Sequence, residues 1–300
     1  MADYTTKRAY LELHISVLLW GFTGILGRLI TIDSTLLVWY RLLFTVLSLL
    51  LFKNILRSIG QIPAKVRWQL VGIGSIAALH WVTFYGAIHL ANVSVAVGSL
   101  ATTSLFTAFL EPIFTSKKIK STEIIIGLIV SLGLGVMFFY GQTFKTGIIM
   151  GLVSAFLAGT FTTLNKIVID KHDPSPKAMT FVELGGGWLF LCILIPILHI
   201  WWPRETFLPQ QSDLVWLLIL ALICTTLPFI LSLRALKKLS AFSSVLAINL
   251  EPIYSIFLAL LIFQENEELN LRFYIGTAIV ILAIFTYPLL SRREKSNLVT

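Results

Sequence analysis

The chain has 300 residues, of which 57% are hydrophobic and 13% charged, with a net charge of +8 and only two cysteines. A soluble domain is nearer half apolar and a quarter charged, so a soluble globular fold is excluded. Cys192 and Cys224 both fall inside apolar stretches, which excludes a secreted disulfide framework, and two thiols do not make a metal site.

Ten apolar segments are predicted as helical spans: Tyr10–Ile30, Leu36–Phe52, Trp68–Leu90, Val93–Phe114, Glu123–Tyr140, Gly147–Ile169, Ala178–Ile200, Leu214–Leu233, Phe242–Phe263 and Leu271–Leu290. Each is near the length that crosses the ~30 Å hydrocarbon core of a bilayer. The first run is too long for a cleavable signal peptide and reads as the first span. Spans three and four are separated only at Ala91-Asn92. The expected fold class is therefore all-α, a polytopic membrane protein with ten transmembrane helices.

The basic residues test this count. With the N-terminus inside, eighteen of the 23 Lys and Arg fall in cytoplasmic segments. Arg28, Lys145, Arg204 and Arg272 fall on the other side, and Arg41 lies within the second span. This is a positive-inside pattern with both termini cytoplasmic. It accounts for the net charge without a nucleic acid partner. The expected location is the cell membrane, the bacterial inner membrane in particular.

The first span carries Ser16, Trp20, Thr23 and Gly27 on one face, where Trp20 can fill a cavity wall. In the second span, Arg41 is long enough to snorkel outward. The third carries His80 and Trp81 mid-span. His80 can protonate near neutral pH, or stay neutral and donate to a carbonyl. Trp81 and Tyr85 share another face that suits either stacking on a ring-bearing solute or packing. The fourth places Ser99, Thr103, Thr107 and Glu111 at three- and four-residue steps. Their hydroxyls suit substrate binding or helix–helix glue, and Glu111 is placed to pair with Lys117 or Lys118. Gly147, Gly151, Ala155 and Gly159 recur every four residues on the sixth span, a close-packing face. Glu183 on the seventh corresponds in position to Arg41.

The ninth span carries a matching stripe of Ser244, Ala247, Glu251 and Ser255. An ionisable group at bilayer depth is costly, so Glu251 needs a partner, a proton or a water-filled cavity. Pro252 removes a backbone donor and frees a carbonyl about one turn earlier. An acid beside a weakened helix suits a transport site. It equally suits a buried acid satisfied by a neighbouring hydroxyl, with Pro252 a tolerated kink. Two steps of ~100° put Asn249 and Glu251 on roughly opposite sides of a regular helix.

The chain repeats. The run from Leu18 aligns with that from Phe156, pairing Gly21 with Gly159. The run from Ala87 aligns with that from Ala235 at a shift of 148, which makes Thr103 the mate of Glu251. The two Glu-Pro pairs are 140 apart and are not mates. Each half has an odd number of spans, so the halves are inverted, a transporter architecture with its site at the repeat interface. The expected domains are residues 1–142 and 143–300, one five-helix repeat each.

WGFTGILGRL around Trp20, WYRLLF at Trp39–Phe44 and ALKKLSAFSSVLAINLEPIYSIFLALLIFQE at Ala235–Glu265 carry a specific resemblance. The sequence resembles the drug/metabolite transporter superfamily, in particular its EamA-type permeases. Ser104 stands where that pattern usually has a proline, and Lys117 where it has an acid. The resemblance implies a central cavity walled by spans 1, 3 and 4 and their mates 6, 8 and 9, and a secondary transporter exporting a small metabolite such as an amino acid. The expected substrate-binding residues are Trp20, His80, Trp81, Tyr85, Ser99, Thr103, Ser244, Glu251 and Ser255, with Glu251 and His80 the expected proton carriers. No cofactor or metal is expected. A nucleotide-sugar or phosphate exchanger of the same superfamily would need cations in the cavity. An intramembrane enzyme lacks a motif such as His-Glu-x-x-His or Gly-x-Ser-x-Gly.

Overall fold

The computed structural model describes residues 4–91, 93–115, 118–137, 145–201, 206–251, 253–255, 257–258 and 271–297. All regular structure among them is helical. Helix α1 (Thr6–Leu29) starts at Thr5, whose hydroxyl accepts from Arg8 N–H. Asp33 caps α2 (Ser34–Leu50) by accepting from the N–H groups of Thr35 and Leu36. A short helix that apolar spacing does not signal, α3 (Ile55–Gly60), follows Asn54, which turns the chain at φ 64°. Helix α4 (Ala64–Leu90) begins after Pro63, four residues earlier than expected.

Ala91, at φ −138° and ψ −97°, separates α4 from α5 (Val93–Leu100). The fourth span is then broken again at Ala101-Thr102 before α6 (Thr103–Thr115). Helices α7 (Ser121–Met137), α8 (Lys145–His172) and α9 (Pro176–Trp201) follow. The eighth span is α10 (Gln211–Ala221), a π turn at Leu222–Thr226 and α11 (Leu227–Leu236). The ninth begins as α12 (Ala241–Ile248), and α13 (Leu271–Asn297) closes the chain. Pro252, Glu265 and Lys117 lie outside the described residues.

Among the described residues, six helical stretches are long and apolar enough to cross a bilayer, and three shorter apolar helices accompany them. Large apolar side chains such as Leu11, Leu18, Ile193, Leu282 and Phe285 stand exposed on the outer faces, where lipid would cover them.

Glycines set the close contacts. A β-carbon on Gly147 would come 2.5 Å from Ala91 Cβ, and one on Gly151 2.5 Å from Ser99 Cβ. One on Gly159 would come 2.9 Å from the Thr107 hydroxyl. The periodic face of α8 thus lies against the end of α4 and against α5 and α6. Further glycine contacts join α4 to α9, through Gly74, Gly186 and Gly187. Close backbone approach is the main source of helix association where lipid offers no hydrophobic contrast. Helices α7 and α13 pair with each other, Gly133 against Ile279, and stand apart from the central cavity.

Polar links tie the ends. At the end richest in Lys and Arg, the basic end, buried Glu12 of α1 accepts from Tyr4 Oη at 2.9 Å, Arg8 Nε at 3.1 Å and Arg234 Nη1 of α11 at 3.2 Å. At the opposite end Asp213 of α10 accepts from Thr31 N–H and its hydroxyl, both at 2.9 Å. Glu111 is buried and accepts from Phe242 N–H at 3.1 Å, supplying an acceptor to the first turn of α12.

Candidate functional site: a central cavity with opposite charges in its wall

One cavity runs between the two halves. Its walls come from α1, α2, α4, α5, α6, α8, α11 and α12. The lining of α1 starts at Leu13, that of α11 ends at Leu236, and that of α8 lies in its second half, between Ala158 and Asn165. The cavity therefore extends from the middle of the molecule toward the basic end.

The repeat register organises this wall. Positions related by the shift of 148 line it in pairs: Trp81 with Phe229, Phe84 with Ser232, Leu100 with Ile248, Ala101 with Asn249, and Thr103 with Glu251. Trp20 and Ala158, related by the earlier register, also both face it. Two of these pairs set a large residue in one repeat against a small one in the other, Phe84 with Ser232 and Trp20 with Ala158, whereas Trp81 and Phe229 are both large.

Local chain geometry brings Asn249 and Glu251 to the same cavity, against the expectation that they point apart. Helix α12 ends at Ile248. The Asn249 N–H is shared between the carbonyls of Val245, at 3.2 Å, and Leu246, at 3.3 Å, and Leu250 N–H reaches Ala247 O at 3.1 Å. This tighter turn breaks the 100° step on which the expectation rested. Glu251 is hydrogen-bonded to Thr23 of α1 and feels the charge of Arg41. The Ser244 hydroxyl and the Asn249 side-chain nitrogen are buried at the cavity with no partner among the described residues.

Arg41 is the largest correction. It does not snorkel outward; it is 1% exposed and lines the cavity. The π turn explains how it is held. With one extra residue in that turn, the Thr225 and Thr226 hydroxyls bond back to the carbonyls of Leu220 and Ala221. Thr225 Oγ1 then accepts from Arg41 Nε at 2.6 Å, while Tyr85 Oη accepts from Nη1 at 3.1 Å. The guanidinium carbon lies 4.2 Å from the centre of the Trp81 ring, a cation–π contact. The other nitrogen, Nη2, has no hydrogen-bond partner among the described residues, so the fork presents a free donor to the cavity.

His80 is bound on one side. Its Nδ1 lies 2.9 Å from the Ser154 carbonyl and 2.8 Å from the Ser154 hydroxyl, which itself donates to the His80 carbonyl at 2.9 Å. The mates of these residues are Pro228 and Ser16, and there the Ser16 hydroxyl donates to the Pro228 carbonyl at 3.0 Å. The same serine-to-carbonyl link thus fastens α8 to α4 and α1 to α11. His80 adds its ring to one copy of a structural joint that the other copy makes without it. Such links contribute about 0.6 kcal/mol each, so they fix register more than they hold the bundle.

Among the residues expected at the site, Trp20, His80, Trp81, Thr103, Ser244 and Glu251 line the cavity. Tyr85, Ser99 and Ser255 do not. Tyr85 stands behind Arg41. Ser99 bonds to the Val95 carbonyl and packs on Gly151. The Ser255 hydroxyl donates to the Gly21 carbonyl at 2.8 Å. The break at Ala101-Thr102 is what divides Ser99 from Thr103. In a background lacking Cys192 and Cys224, cysteines at Thr103 and Ser244 are expected to react with a membrane-impermeant thiol reagent applied from the basic end. Cysteines at Ser99 and Ser255 are expected to stay unmodified. Mass-spectrometric counting of adducts checks this, and equal labelling of all four would remove the cavity as drawn.

The profile of the EamA-like transporter family matches residues 7–139 and again 145–287. One solved structure, described only as the crystal structure of a protein, superposes with a TM-score of 0.73 at 16% identity, over 95% of this chain and 98% of that chain. At that identity the likeness shows the fold alone. No curated protein matches the sequence.

Proposed function

The chain belongs to the EamA-like transporter family, and on that premise we propose that it is a secondary transporter exporting a small amphipathic metabolite that carries both charges, such as an amino acid. The observation that carries this reading is the cavity wall itself. Arg41 and Glu251 face the same space, and Trp20, Trp81, Phe84, Phe161 and Phe229 surround it. A guanidinium suits a carboxylate, a carboxylate suits an ammonium group, and the rings suit an apolar side chain.

We place the protein in the cell membrane with ten spans in two inverted five-helix repeats, residues 1–142 and 143–300, and both termini cytoplasmic. The basic end is then the cytoplasmic side, and a cavity reaching toward it suits loading from the cytoplasm in an alternating-access cycle. The phosphate-exchanger reading gains from Arg41, since one cation faces the cavity. It loses to Glu251 in the same wall, which repels a polyanion.

Coupling to protons is assigned to Glu251, which lines the cavity, hydrogen-bonds the neutral hydroxyl of Thr23 and lies within reach of the Arg41 charge. The test is uptake by purified protein in liposomes, with a panel of amino acids and other small metabolites and an imposed pH gradient. Glu251→Gln keeps the shape and cannot ionise. The variant should still exchange solute across the liposome membrane and should fail to accumulate it. Accumulation at the normal level in Glu251→Gln would move the coupling elsewhere, and no transport of any solute of the panel by the unaltered protein would overturn the reading of the cavity.

A further inference from the structure

One polar side chain reaches through the cavity wall to an acid behind it. Asn165 of α8 lines the cavity and is 1% exposed. Its Nδ2 donates to Glu183 Oε1 of α9 at 2.9 Å. Glu183 is fully buried and is not part of the wall. Its second oxygen, Oε2, has no partner among the described residues, and neither has Asn165 Oδ1. The Glu183 carbonyl lies against Gly74 of α4 with no room for even a β-carbon between them, so the acid sits at a close contact of α9 with α4.

The chemistry of this pair has two states. A carboxylate only accepts hydrogen bonds, so it requires the donor end of the amide, the end that meets Glu183 Oε1. A carboxylic acid can donate, and the acceptor it has within reach is the oxygen end of the same amide. Rotation of the Asn165 amide by half a turn exchanges the two ends. Each state therefore turns the opposite end of the amide away from Glu183, on a residue that borders the cavity.

Among the described residues, the charged and titratable groups on the elements packed around α9 do not bond Glu183. Arg41 of α2 holds Thr225 and Tyr85, and His80 of α4 is joined to Ser154. Lys166 of α8 pairs with Asp170, and Arg234 of α11 with Glu12. None of these bonds Glu183, nor does Arg57 of α3 or Lys65, Arg67 and His89 of α4. Asn165 is its one side-chain partner among the described residues.

We propose that Glu183 and Asn165 form a proton-operated polarity switch. With Glu183 ionised, Asn165 offers an acceptor to the cavity; when Glu183 takes a proton from cavity water, its O–H donates to Asn165 Oδ1 and the amide offers a donor instead. The switch rests on the transporter reading of the cavity for its use, and no atom other than that proton is gained or lost. It would alter which polar group of a solute is favoured there as the cavity exchanges between two compartments of different pH.

The experiment is an infrared pH titration of the full-length protein in liposomes with no solute added. Acidification should produce a carboxylic C=O band that Glu183→Gln loses and Glu251→Gln keeps. In Asn165→Leu the same band should move to higher wavenumber, because the acid O–H has lost its acceptor. A side-chain amide resonance in protein labelled with 15N at asparagine should shift with the same midpoint as the band, which keeps the test open if Asn165→Leu does not fold. The absence of any band lost in Glu183→Gln would overturn the proposal. So would a band at the same frequency with and without Asn165, or asparagine resonances that ignore the titration. Transport plays no part in this readout, so failure of the liposome uptake assay and failure of the switch are separate results.

Discussion

Arg41→Leu is expected to raise the KM for the transported solute about 10- to 100-fold while leaving the protein folded. The magnitude follows from losing a charge-assisted hydrogen bond, about 1.5–3 kcal/mol, at 1.4 kcal/mol for each factor of ten. A guanidinium at bilayer depth is costly to keep, and the hydrogen bonds and ring contact of this one are all with neutral groups, Thr225, Tyr85 and the face of Trp81. Its charge acts on the cavity and on Glu251 in the same wall. Arg41→Lys keeps the charge and loses the fork, so an intermediate KM is expected. A purely structural arginine would predict something different. The variant would then transport less of everything but keep whatever discrimination the unaltered protein shows against a carboxamide analogue of the solute, which lacks the anionic group. If Arg41 instead binds the solute's carboxylate, the unaltered protein discriminates strongly against that analogue and Arg41→Leu barely does. Liposome uptake with both compounds settles it.

The sequence already contains the repeat, and the repeat contains most of the cavity. Pairing at a shift of 148 brings Trp81 to Phe229 and Thr103 to Glu251 without any structure, and all four line the same space. Family membership was legible in the same way, from the runs around Trp20, Trp39 and Ala235. What could not be read were departures from regular helix. Asn249 joins Glu251 in the wall because a tight turn interrupts the ninth span. Thr225 reaches Arg41 because a π turn adds one residue to the eighth. Ser99 and Thr103 face different neighbours because the fourth span breaks between them. Helical spacing assumes an unbroken 100° step, and these three misses lie at places where that step fails. Arg41 was misplaced for a different reason. Snorkelling describes an arginine with lipid beside it, and the face of the second span that meets the cavity cannot be told from its lipid face by hydropathy alone. Asn165 lacked any signal, since a single asparagine in an apolar run is as consistent with a helix–helix bond as with a site.

His80 shows how the repeat also separates scaffold from chemistry. A mid-membrane histidine invites a proton-carrying role. Its mate, Pro228, has no side-chain polar group, yet takes part in the same serine-to-carbonyl joint. What the two copies share is the joint, so the joint is the feature the fold requires. Glu251 and Thr103 share the opposite property: they occupy equivalent places and differ in charge, so the acid is not what the repeated fold requires, which supports the role proposed for it.

The strongest demand on the fold falls on Gly74. A β-carbon there would overlap the Glu183 carbonyl oxygen, come 2.6 Å from the carbonyl carbon and lie 3.0 Å from Gly187 N. All three are backbone atoms, so no side-chain rotation can make room, and α4 and α9 would have to separate. Overpacking of this kind costs about 3 kcal/mol or more when the obstacle cannot move. Two residues earlier, Gly72 is exposed and its β-carbon would meet nothing within 4 Å. Alanine is the better helix former by about 1 kcal/mol, so Gly72→Ala should be neutral or mildly stabilising. The two substitutions are chemically identical and lie in the same helix, and their opposite signs isolate the contact. Unfolding midpoints in detergent should fall for Gly74→Ala and hold or rise for Gly72→Ala. The separation should carry a functional signature as well. Moving α9 away from α4 withdraws Glu183 from Asn165 and shifts the helix that holds His80, Trp81 and Phe84, so Gly74→Ala protein that remains folded at low temperature should still have lost uptake. Equal midpoints for the two variants would mean that α4 and α9 do not approach as closely as their glycines allow.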